Sequence, residues 1–327
     1  MPESPFLLLH RLATGYAIPR CLHVVTELGI ADRLGDEPQT AAALALAAGV
    51  QAQPLERVMR LLSTEGVFVL RSGRFAHSAA SRLLRKDHPR SQRALVRLLG
   101  RSWQLRLFEE LEYVVRTGHP ASDKVMPNGF GFFAEHPEEG ELFDAAMAAL
   151  SEESVPGILA AYDFSRFAVI GDIGCGRGHL LLAILEATPN ATGVLFDLPS
   201  VPVEIPAPLA HRAVKRSGDF FRDELPSCDC YLLKEVIHDW GDAEAGRILT
   251  AVRRAAPAQA RILLLETLHP EDAAAPFAAL YDVHMMLAGG RQRTPGELER
   301  LCRAAGLRIE RVIPTGSRVS IVEGIAV

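Results

Sequence analysis

Two patterns of hydrophobic residues alternate along the C-terminal two thirds of the chain. Short apolar runs predict buried β-strands, and intervening stretches with apolar residues every three or four positions predict helices that cover them. This alternation is typical of an α/β fold with a mostly parallel sheet covered on both faces. We predict strands at 167–173, 192–197, 213–218, 230–234 and 261–266, and a closing hairpin at 308–313 and 318–327.

Capping residues define two helices between these strands. Asp242 is expected to cap a helix whose apolar positions recur at helical spacing until Pro257 stops it. Thr294 and Glu297 form a predicted capping box, with Pro295 at the first helical position.

The first hundred residues have a different pattern, mainly helical. Thr40 is expected to cap a helix over 41–48 that Gly49 ends, and Pro54 to begin a second helix. Residues 67–77 read as two short strands around a glycine-containing turn. This order of elements is that of a winged helix.

We therefore predict two domains. Residues 1–100 form a winged-helix-like domain and residues 101–327 form the α/β domain, of which 101–155 supply linking helices. The stretch 128–133 combines two glycines with three phenylalanines, a composition suited to the wall of a pocket for an aromatic molecule.

Composition narrows the classes of partner. The 327 residues carry a net charge of only -5, which gives no general attraction to nucleic acid or to an anionic membrane. We expect a cytoplasmic protein, because the chain has neither an apolar run of membrane-spanning length nor the pattern of a secretory signal at its start. The five cysteines are scattered and odd in number, which indicates reduced thiols.

Three glycines at alternate positions indicate a cofactor site. Gly174, Gly176 and Gly178 join an apolar strand pattern to an apolar helix pattern, and Asp197 follows about twenty residues later. Such a turn brings backbone N–H groups and a helix N-terminus close to a ligand, while an acidic residue at that distance can accept both ribose hydroxyls. The spacing differs from that of dinucleotide binders, so adenosine without a pyrophosphate fits better. A tight turn without a ligand is the alternative, which Asp197 disfavours.

From residue 171 to the C-terminus the chain resembles the S-adenosylmethionine-dependent O-methyltransferases of plant phenolic and bacterial natural-product metabolism. The motifs that carry the resemblance are Gly171-Asp172-Ile173-Gly174-Cys175-Gly176-Arg177-Gly178, Phe196-Asp197-Leu198-Pro199, Gly218-Asp219-Phe220-Phe221, Leu233-Lys234-Glu235-Val236-Ile237-His238-Asp239-Trp240 and Gly289-Gly290-Arg291-Gln292-Arg293-Thr294. The resemblance implies a class I methyltransferase, Rossmann-like with a seven-stranded sheet, and a winged-helix domain that forms a homodimer. It also implies S-adenosylmethionine as cofactor, S-adenosylhomocysteine as product and no metal.

The resemblance assigns roles to individual positions. His238, after the fourth strand of the sheet, matches the catalytic base, which would deprotonate a hydroxyl as it attacks the methyl group. Glu266 matches one acidic residue that supports this histidine, whereas Gln292 stands where the family pattern has glutamate. The residues expected to hold the cofactor are Asp172, Gly174, Gly176, Gly178, Asp197, Leu198, Asp219, Phe220 and Lys234.

The expected acceptor is a hydroxylated small molecule of secondary metabolism, with a phenol as the expected type. Its candidate contacts, which could equally be plain core residues, are Phe130, Phe133, Met147, Asp239, Trp240, His284 and Met285. Two other functions remain open. One is a family member diverted to hydroxylation or another step without methyl transfer, a possibility that Gln292 raises. The other is a DNA-binding winged-helix regulator, since residues 40–100 hold ten Arg or Lys against three Asp or Glu; mixed charges on its second helix disfavour it.

Overall fold

The computed structural model describes residues 4–271 and 275–327. The chain forms two compact units. Unit 1 contains the residues up to 105 together with 137–149, and unit 2 contains 106–136 and 150–327. Unit 1 includes residues 137–149, which lie within the segment 101–155 that the sequence analysis assigns to the linking helices of the second domain.

Unit 1 is mainly helical and contains a two-stranded hairpin. Its elements are α1 (Pro5–Thr14), α2 (Ala17–Glu27), α3 (Ile30–Leu34), α4 (Ala41–Ala48), α5 (Ala52–Thr64), β1 (Phe68–Arg71), β2 (Arg74–His77), α6 (Ala79–Arg82), α7 (Arg93–Leu99) and the start of α8 (Ser102–Glu109). The expected cap of α4 is confirmed, because the Thr40 hydroxyl accepts a hydrogen bond from the Ala43 N–H at 3.2 Å. Gly49 ends this helix with a φ of +69°.

The helix after Gly49 begins two residues earlier than expected. It starts at Ala52, with Gln51 extended before it, so Pro54 lies inside the first turn. A proline fits there because the first N–H groups of a helix have no partner within the helix. The predicted hairpin forms between β1 and β2, and Ser72 and Gly73 at its tip both have positive φ, as a two-residue turn of this kind requires.

Many of the basic side chains that raised the question of DNA binding are ion-paired within unit 1. Arg82 pairs with Asp36, Arg85 with Asp87, Arg93 with Asp32, Arg97 with Glu27, and Arg60 with Glu56. These pairs reduce the positive charge that the unit could offer to phosphates.

Unit 2 is built on the predicted seven-stranded sheet. Its order is β5-β4-β3-β6-β7-β9-β8; β9 pairs antiparallel with both β7 and β8, and the other strand pairs are parallel. The strands are β3 (Val169–Ile173), β4 (Thr192–Asp197), β5 (Ala213–Ser217), β6 (Cys230–Lys234), β7 (Arg261–Glu266), β8 (Leu307–Pro314) and β9 (Ser320–Ala326). The helices after α8 are α9 (Leu111–Thr117), α10 (Ser122–Val125), α11 (Gly131–Glu135), α12 (Pro137–Ala161), α13 (His179–Ala187), α14 (Asp242–Ala255), α15 (Pro276–Ala288) and α16 (Pro295–Ala304).

The sheet is buried on both faces. The central strand β6 carries Tyr231, Leu232 and Leu233, all of which are fully buried. One hydrophobic cluster packs on the face covered by α14 and α16, and another packs on the face covered by α13. Strands β3 and β6 are parallel neighbours, and the order in which successive strands are added to the sheet reverses between them. Their carboxyl ends therefore border the crevice where α/β sheets bind ligands.

Of the two helix caps predicted in unit 2, one is confirmed and the other is wrong. The capping box of Thr294 and Glu297 is confirmed, with both reciprocal hydrogen bonds present. Asp242 is not the cap of α14: Gly241 occupies that position, and Asp242 is the first helical residue. Its carboxylate instead accepts hydrogen bonds from Arg293 at 3.0 and 2.8 Å, an interaction with a distant segment that local sequence does not reveal.

Candidate active site

The glycine turn between β3 and α13 has a shape that other residues would not permit. Gly174, Gly176 and Gly178 have φ of +71°, +55° and +81°. A Cβ on Gly174 would lie 2.8 Å from the Val236 side chain, whereas a Cβ on Gly176 would meet nothing within 4 Å. The open space beside Gly176 leaves the backbone accessible to a ligand at the carboxyl end of β3.

Asp197 joins this turn to the end of β4. One carboxylate oxygen accepts a hydrogen bond from the Gly176 N–H at 2.7 Å, and the other accepts from the Leu198 N–H at 2.7 Å. The structure therefore brings together the glycines and the acidic residue that the sequence singled out. A half-buried carboxylate beside an open backbone turn suits a ligand that carries neighbouring hydroxyls.

Asp219 and Phe220 lie just after β5, which ends at Ser217. The Asp219 carboxylate accepts a hydrogen bond from the Phe221 N–H at 2.9 Å. The ring of Phe220 makes an edge contact with Trp240, with ring centroids 6.0 Å apart. This places two of the expected cofactor contacts next to the loop that carries His238.

Two buried charged groups lie at the ends of β3 and β6. Lys234 donates hydrogen bonds to the Ser151 hydroxyl at 3.1 Å and to the Glu235 carboxylate at 2.9 Å. Asp172 is only 2% exposed. Loss of water raises the pKa of Asp172 to about 7, and the charge of Lys234 opposes this rise.

His238 lies in a short 3-10 turn, Ile237–Asp239, that follows β6. Its Nδ1 is 2.9 Å from the side-chain nitrogen of Gln292 and 3.4 Å from a Glu266 oxygen, while Nε2 is 3.4 Å from an Asp239 oxygen. Burial is the main cause that lowers the pKa of His238 to about 4. The imidazole is therefore neutral at neutral pH and able to accept a proton.

Glu266 and Gln292 both lie close to Nδ1 of His238. Gln292 is uncharged, and burial disfavours the ionised form of Glu266. One Glu266 oxygen accepts a hydrogen bond from the Ile237 N–H at 3.0 Å, and burial raises the pKa of its carboxyl well above the ordinary value. The Gln292 side-chain oxygen is buried and makes no hydrogen bond within the described residues. Rotation of this amide by 180° would let the oxygen accept a hydrogen bond from Nδ1–H of His238, leaving Nε2 unprotonated as the free base.

Arg293 is a site residue to which the sequence gave no role. It is 4% exposed and donates hydrogen bonds to the carbonyl oxygens of Ile237 and Trp240, each at 2.8 Å. These bonds hold both ends of the turn that carries His238. The residue lies inside the motif at 289–294, which was the available signal; its partners could not be read from the sequence.

Gly290 in the same motif allows close contact with this turn. A Cβ at Gly290 would lie 2.0 Å from the His238 carbonyl oxygen, and the Arg291 N–H donates a hydrogen bond to that oxygen at 2.8 Å. Glycine is therefore needed for the segment carrying Gln292 to pass beside His238.

Some candidate acceptor contacts lie together and others do not. Phe130 lies 6.2 Å from Trp240 and 6.3 Å from Phe133 between ring centroids, which links the predicted aromatic wall to the His238 loop. His284 makes an edge contact with Phe108 at 4.9 Å instead. The neighbouring Met285 is half-buried, and its carbonyl oxygen accepts a hydrogen bond from the Gly290 N–H. Met147 belongs to unit 1, and its role stays a prediction.

Residues 4–271 and 275–327 contain neither a cluster suited to a metal ion nor a helix suited to span a membrane. Within these ranges, no three His, Cys, Asp or Glu side chains form a group that could hold a metal ion. No helix there is long and apolar enough to cross a membrane. The five cysteines are free thiols.

The sheet order, the glycine turn after β3 and the helical N-terminal unit define a class I methyltransferase with an added helical domain. Residues 108–308 match the O-methyltransferase domain and residues 10–87 match the O-methyltransferase dimerisation domain. The chain belongs to this family of S-adenosylmethionine-dependent methyltransferases.

Relatives match nearly the whole chain. A phenazine O-methyltransferase from Lysobacter antibioticus is 37% identical, over 99% of this chain and 96% of the relative. An 8-amino-8-demethylriboflavin N,N-dimethyltransferase from Streptomyces davaonensis is 35% identical, over 92% and 90%. The family that this chain joins thus includes enzymes named for oxygen and for nitrogen acceptors.

Solved structures agree with this assignment. The crystal structure of LaPhzM superimposes with a TM-score of 0.91 at 36% identity, covering 99% of this chain and 100% of that one. The O-methyltransferase NcsB1 from neocarzinostatin biosynthesis, in complex with S-adenosylhomocysteine and 1,4-dihydroxy-2-naphthoic acid, has a TM-score of 0.79 at 31% identity, with coverage of 97% and 98%.

Proposed function

We propose that the protein transfers a methyl group from S-adenosylmethionine to a hydroxyl group of an aromatic small molecule of secondary metabolism. The observation that carries this proposal is the pairing of the open glycine turn with Asp197, next to a buried, neutral histidine. The cofactor would be held by the glycine turn and by Asp197 at its ribose. The remaining contacts would come from Asp172, Leu198, Asp219, Phe220 and Lys234.

The acceptor must be activated for methyl transfer, whereas the cofactor is already reactive. S-adenosylmethionine supplies an electrophilic methyl group on a positively charged sulfur. A phenol with a pKa near 10 is mostly protonated at neutral pH, so a base must take its proton as the oxygen attacks. His238 would accept that proton at Nε2, while the Gln292 side-chain oxygen accepts a hydrogen bond from Nδ1–H and fixes the orientation of the ring. The amide of Gln292 is uncharged, and burial raises the pKa of Glu266 well above its ordinary value, so this is a weaker base than one with an ordinary ionised carboxylate beside it.

The aromatic side chains favour a flat acceptor. Phe130, Phe133 and Trp240 form a connected set of rings beside the His238 turn, and such rings stack on aromatic ligands. The naphthoic acid complex of the NcsB1 neighbour supports this class of acceptor. A nitrogen acceptor is the second candidate, because of the relative named as an N,N-dimethyltransferase.

We also propose that the protein is a homodimer formed through unit 1. The match to a dimerisation domain supports this, and so does the surface of α1. Phe6, Leu9 and Leu12 on this helix are 75%, 68% and 62% exposed, and Tyr16 just after it is 75% exposed. An exposed apolar helix of this kind is covered in a stable protein, and a second copy is the partner that the dimerisation domain predicts.

Titration of S-adenosylmethionine into the protein, followed by calorimetry, tests the cofactor site. Wild-type protein should bind in the micromolar range, and Asp197→Ala should weaken binding by about tenfold or more, since a carboxylate bonded to two hydroxyls is lost. Asp163→Ala is the matched control, because Asp163 is an exposed aspartate whose partner is Ser165. The absence of binding by wild-type protein would overturn the proposal.

A screen of acceptors then tests the reaction. Phenols, hydroxynaphthoates and arylamines are each incubated with cofactor carrying a labelled methyl group. Methylated phenolic product would support the proposed acceptor, and labelled amines alone would favour the second candidate. Binding of the cofactor with no methylated product from any class would count against methyl transfer to these acceptors.

A further inference from the structure

A buried ion pair lies directly beside the turn that carries His238. Glu235 follows the last residue of β6, and both of its carboxylate oxygens accept hydrogen bonds from the guanidinium group of Arg318, one of them at 2.6 Å. The two side chains are only 12% and 10% exposed. Arg318 lies in the turn between β8 and β9, so the pair ties two distant loops together at the carboxyl end of the sheet.

The backbone of Glu235 has an unusual conformation. Its φ is +54°, in the left-handed region that residues other than glycine rarely adopt. Its N–H donates a hydrogen bond to the Leu265 carbonyl oxygen at 2.9 Å. This conformation turns the chain from Lys234 towards His238, and the bond to Arg318 holds the side chain of the strained residue in place.

The Glu235 carboxylate interacts with two positively charged side chains, those of Arg318 and Lys234. Besides the Arg318 pair, Glu235 accepts a hydrogen bond from Lys234 at 2.9 Å. Burial alone would raise the pKa of Glu235, but Lys234 and Arg318 together hold it well below the ordinary value, so the carboxylate is ionised. Without it, the net charge beside the expected cofactor would become more positive by one unit, although Glu153 lies 3.9 Å from Arg318.

We propose that Glu235 balances the charges of Lys234 and Arg318 so that the site can hold a positively charged cofactor. The inference rests on the proposed function, in which S-adenosylmethionine binds at the ends of β3 and β6. Glu235 acts through its neighbours and is a positioning residue in this account. Arg318, its partner in the same pair, has the opposite effect on the charge of the site.

The affinities of two ligands separate charge balance from a purely structural role. S-adenosylmethionine carries a positive sulfur, and S-adenosylhomocysteine has a neutral sulfur but otherwise presents the same polar groups. Calorimetry gives the ratio of the two affinities for each variant. One unit charge acting over roughly 10 Å at an effective dielectric constant of about 20 changes an affinity by about tenfold.

The variants are expected to move this ratio in opposite directions. Glu235→Gln should lower the preference for S-adenosylmethionine over S-adenosylhomocysteine by about tenfold, and Arg318→Gln should raise it severalfold. The double variant should return the ratio towards that of the wild type. Glu153→Gln is the matched control, because Glu153 is 49% exposed and its carboxylate is 3.9 Å from the Arg318 side chain. It should change the ratio by less than about twofold.

The outcomes distinguish this inference from the proposed function. If wild-type protein binds both ligands and Glu235→Gln weakens both equally, the pair is only structural and the inference is overturned. If Glu235→Gln does not fold, Arg318→Gln carries the test, and an unchanged or lowered ratio overturns the inference. If wild-type protein binds neither ligand, the proposed function fails, and the inference fails with it.

Discussion

Replacement of Gln292 by glutamate should strengthen the proposed base. The nitrogen of the Gln292 amide is 2.9 Å from Nδ1 of His238, and the side chain is 4% exposed. A carboxylate at that distance attracts an imidazolium ion by about 6 kcal/mol at an effective dielectric constant of about 20. Burial of the new charge cancels much of this gain. The net effect should raise the pKa of His238 by about 1 to 3 units, which corresponds to about 1.4 to 4 kcal/mol.

The direction of the pH effect follows from the role of the base. His238 must be neutral to accept a proton, so kcat/KM falls as pH drops below the pKa of His238. In the wild type that pKa is about 4, so this fall lies below the usual assay range. Gln292→Glu should bring the fall into the range from about pH 5 to 7. It should also raise kcat/KM at pH 8 for a weakly acidic phenol, because the base is stronger.

The assay is kcat/KM for methyl transfer between pH 5 and 9, with an acceptor found in the screen. Gln292→Met is the control, since it has a similar volume but neither charge nor hydrogen bond. It should lower kcat without moving the fall in rate to higher pH. The reasoning is refuted if Gln292→Glu is folded and binds the cofactor, but its acidic fall in rate stays below pH 5.

Three other predictions concern stability and assembly. As pH rises from 6 to 9, Asp172→Asn should gain stability relative to the wild type by about 1.4 kcal/mol in the free protein. The pKa of Asp172 is about 7 in the folded protein and 3.8 in the unfolded chain, so the stability from its protonated form is lost progressively from about pH 4 until the pH passes 7. An equal difference at both pH values would contradict this. Deletion of residues 1–16 should convert a dimer into monomer in analytical ultracentrifugation, and an intact dimer would argue against α1 as the interface. Glu323→Gln should cost about 3 kcal/mol in denaturant unfolding, because the buried carboxylate accepts hydrogen bonds from Tyr162 and Arg311; a loss below about 1 kcal/mol would contradict its structural role.

The sequence predicted the architecture of unit 2 because the strands are continuous apolar runs. Parallel strands end at one edge of the sheet, so residues after β3 and β4 could be expected to meet, and the contact between Gly176 and Asp197 shows that they do. The start of α14 was less predictable. Asp242 has the side chain of a cap, but Arg293 from a distant segment binds its carboxylate.

Contacts between charged residues that are far apart in the chain could not be predicted from the sequence. Glu235 and Arg318 are 83 positions apart, and nothing in the local pattern of either indicates a buried pair. The hydrogen bonds from Arg293 to the His238 turn are likewise set by how the loops at the edge of the sheet fold over one another. The roles of the site residues, the assignment of Met147 to an acceptor pocket and the cytoplasmic location all stay predictions.

The most direct test of the central claim compares wild-type protein with His238→Ala in transfer of a labelled methyl group to a series of phenols of decreasing pKa. A general base matters most when the acceptor is protonated, so the wild type should exceed the variant by about 100-fold or more for phenols of pKa near 10. The advantage should shrink towards unity for acceptors already ionised at the assay pH. An equal advantage across the series, with cofactor binding intact, would contradict the assignment of His238 as the base.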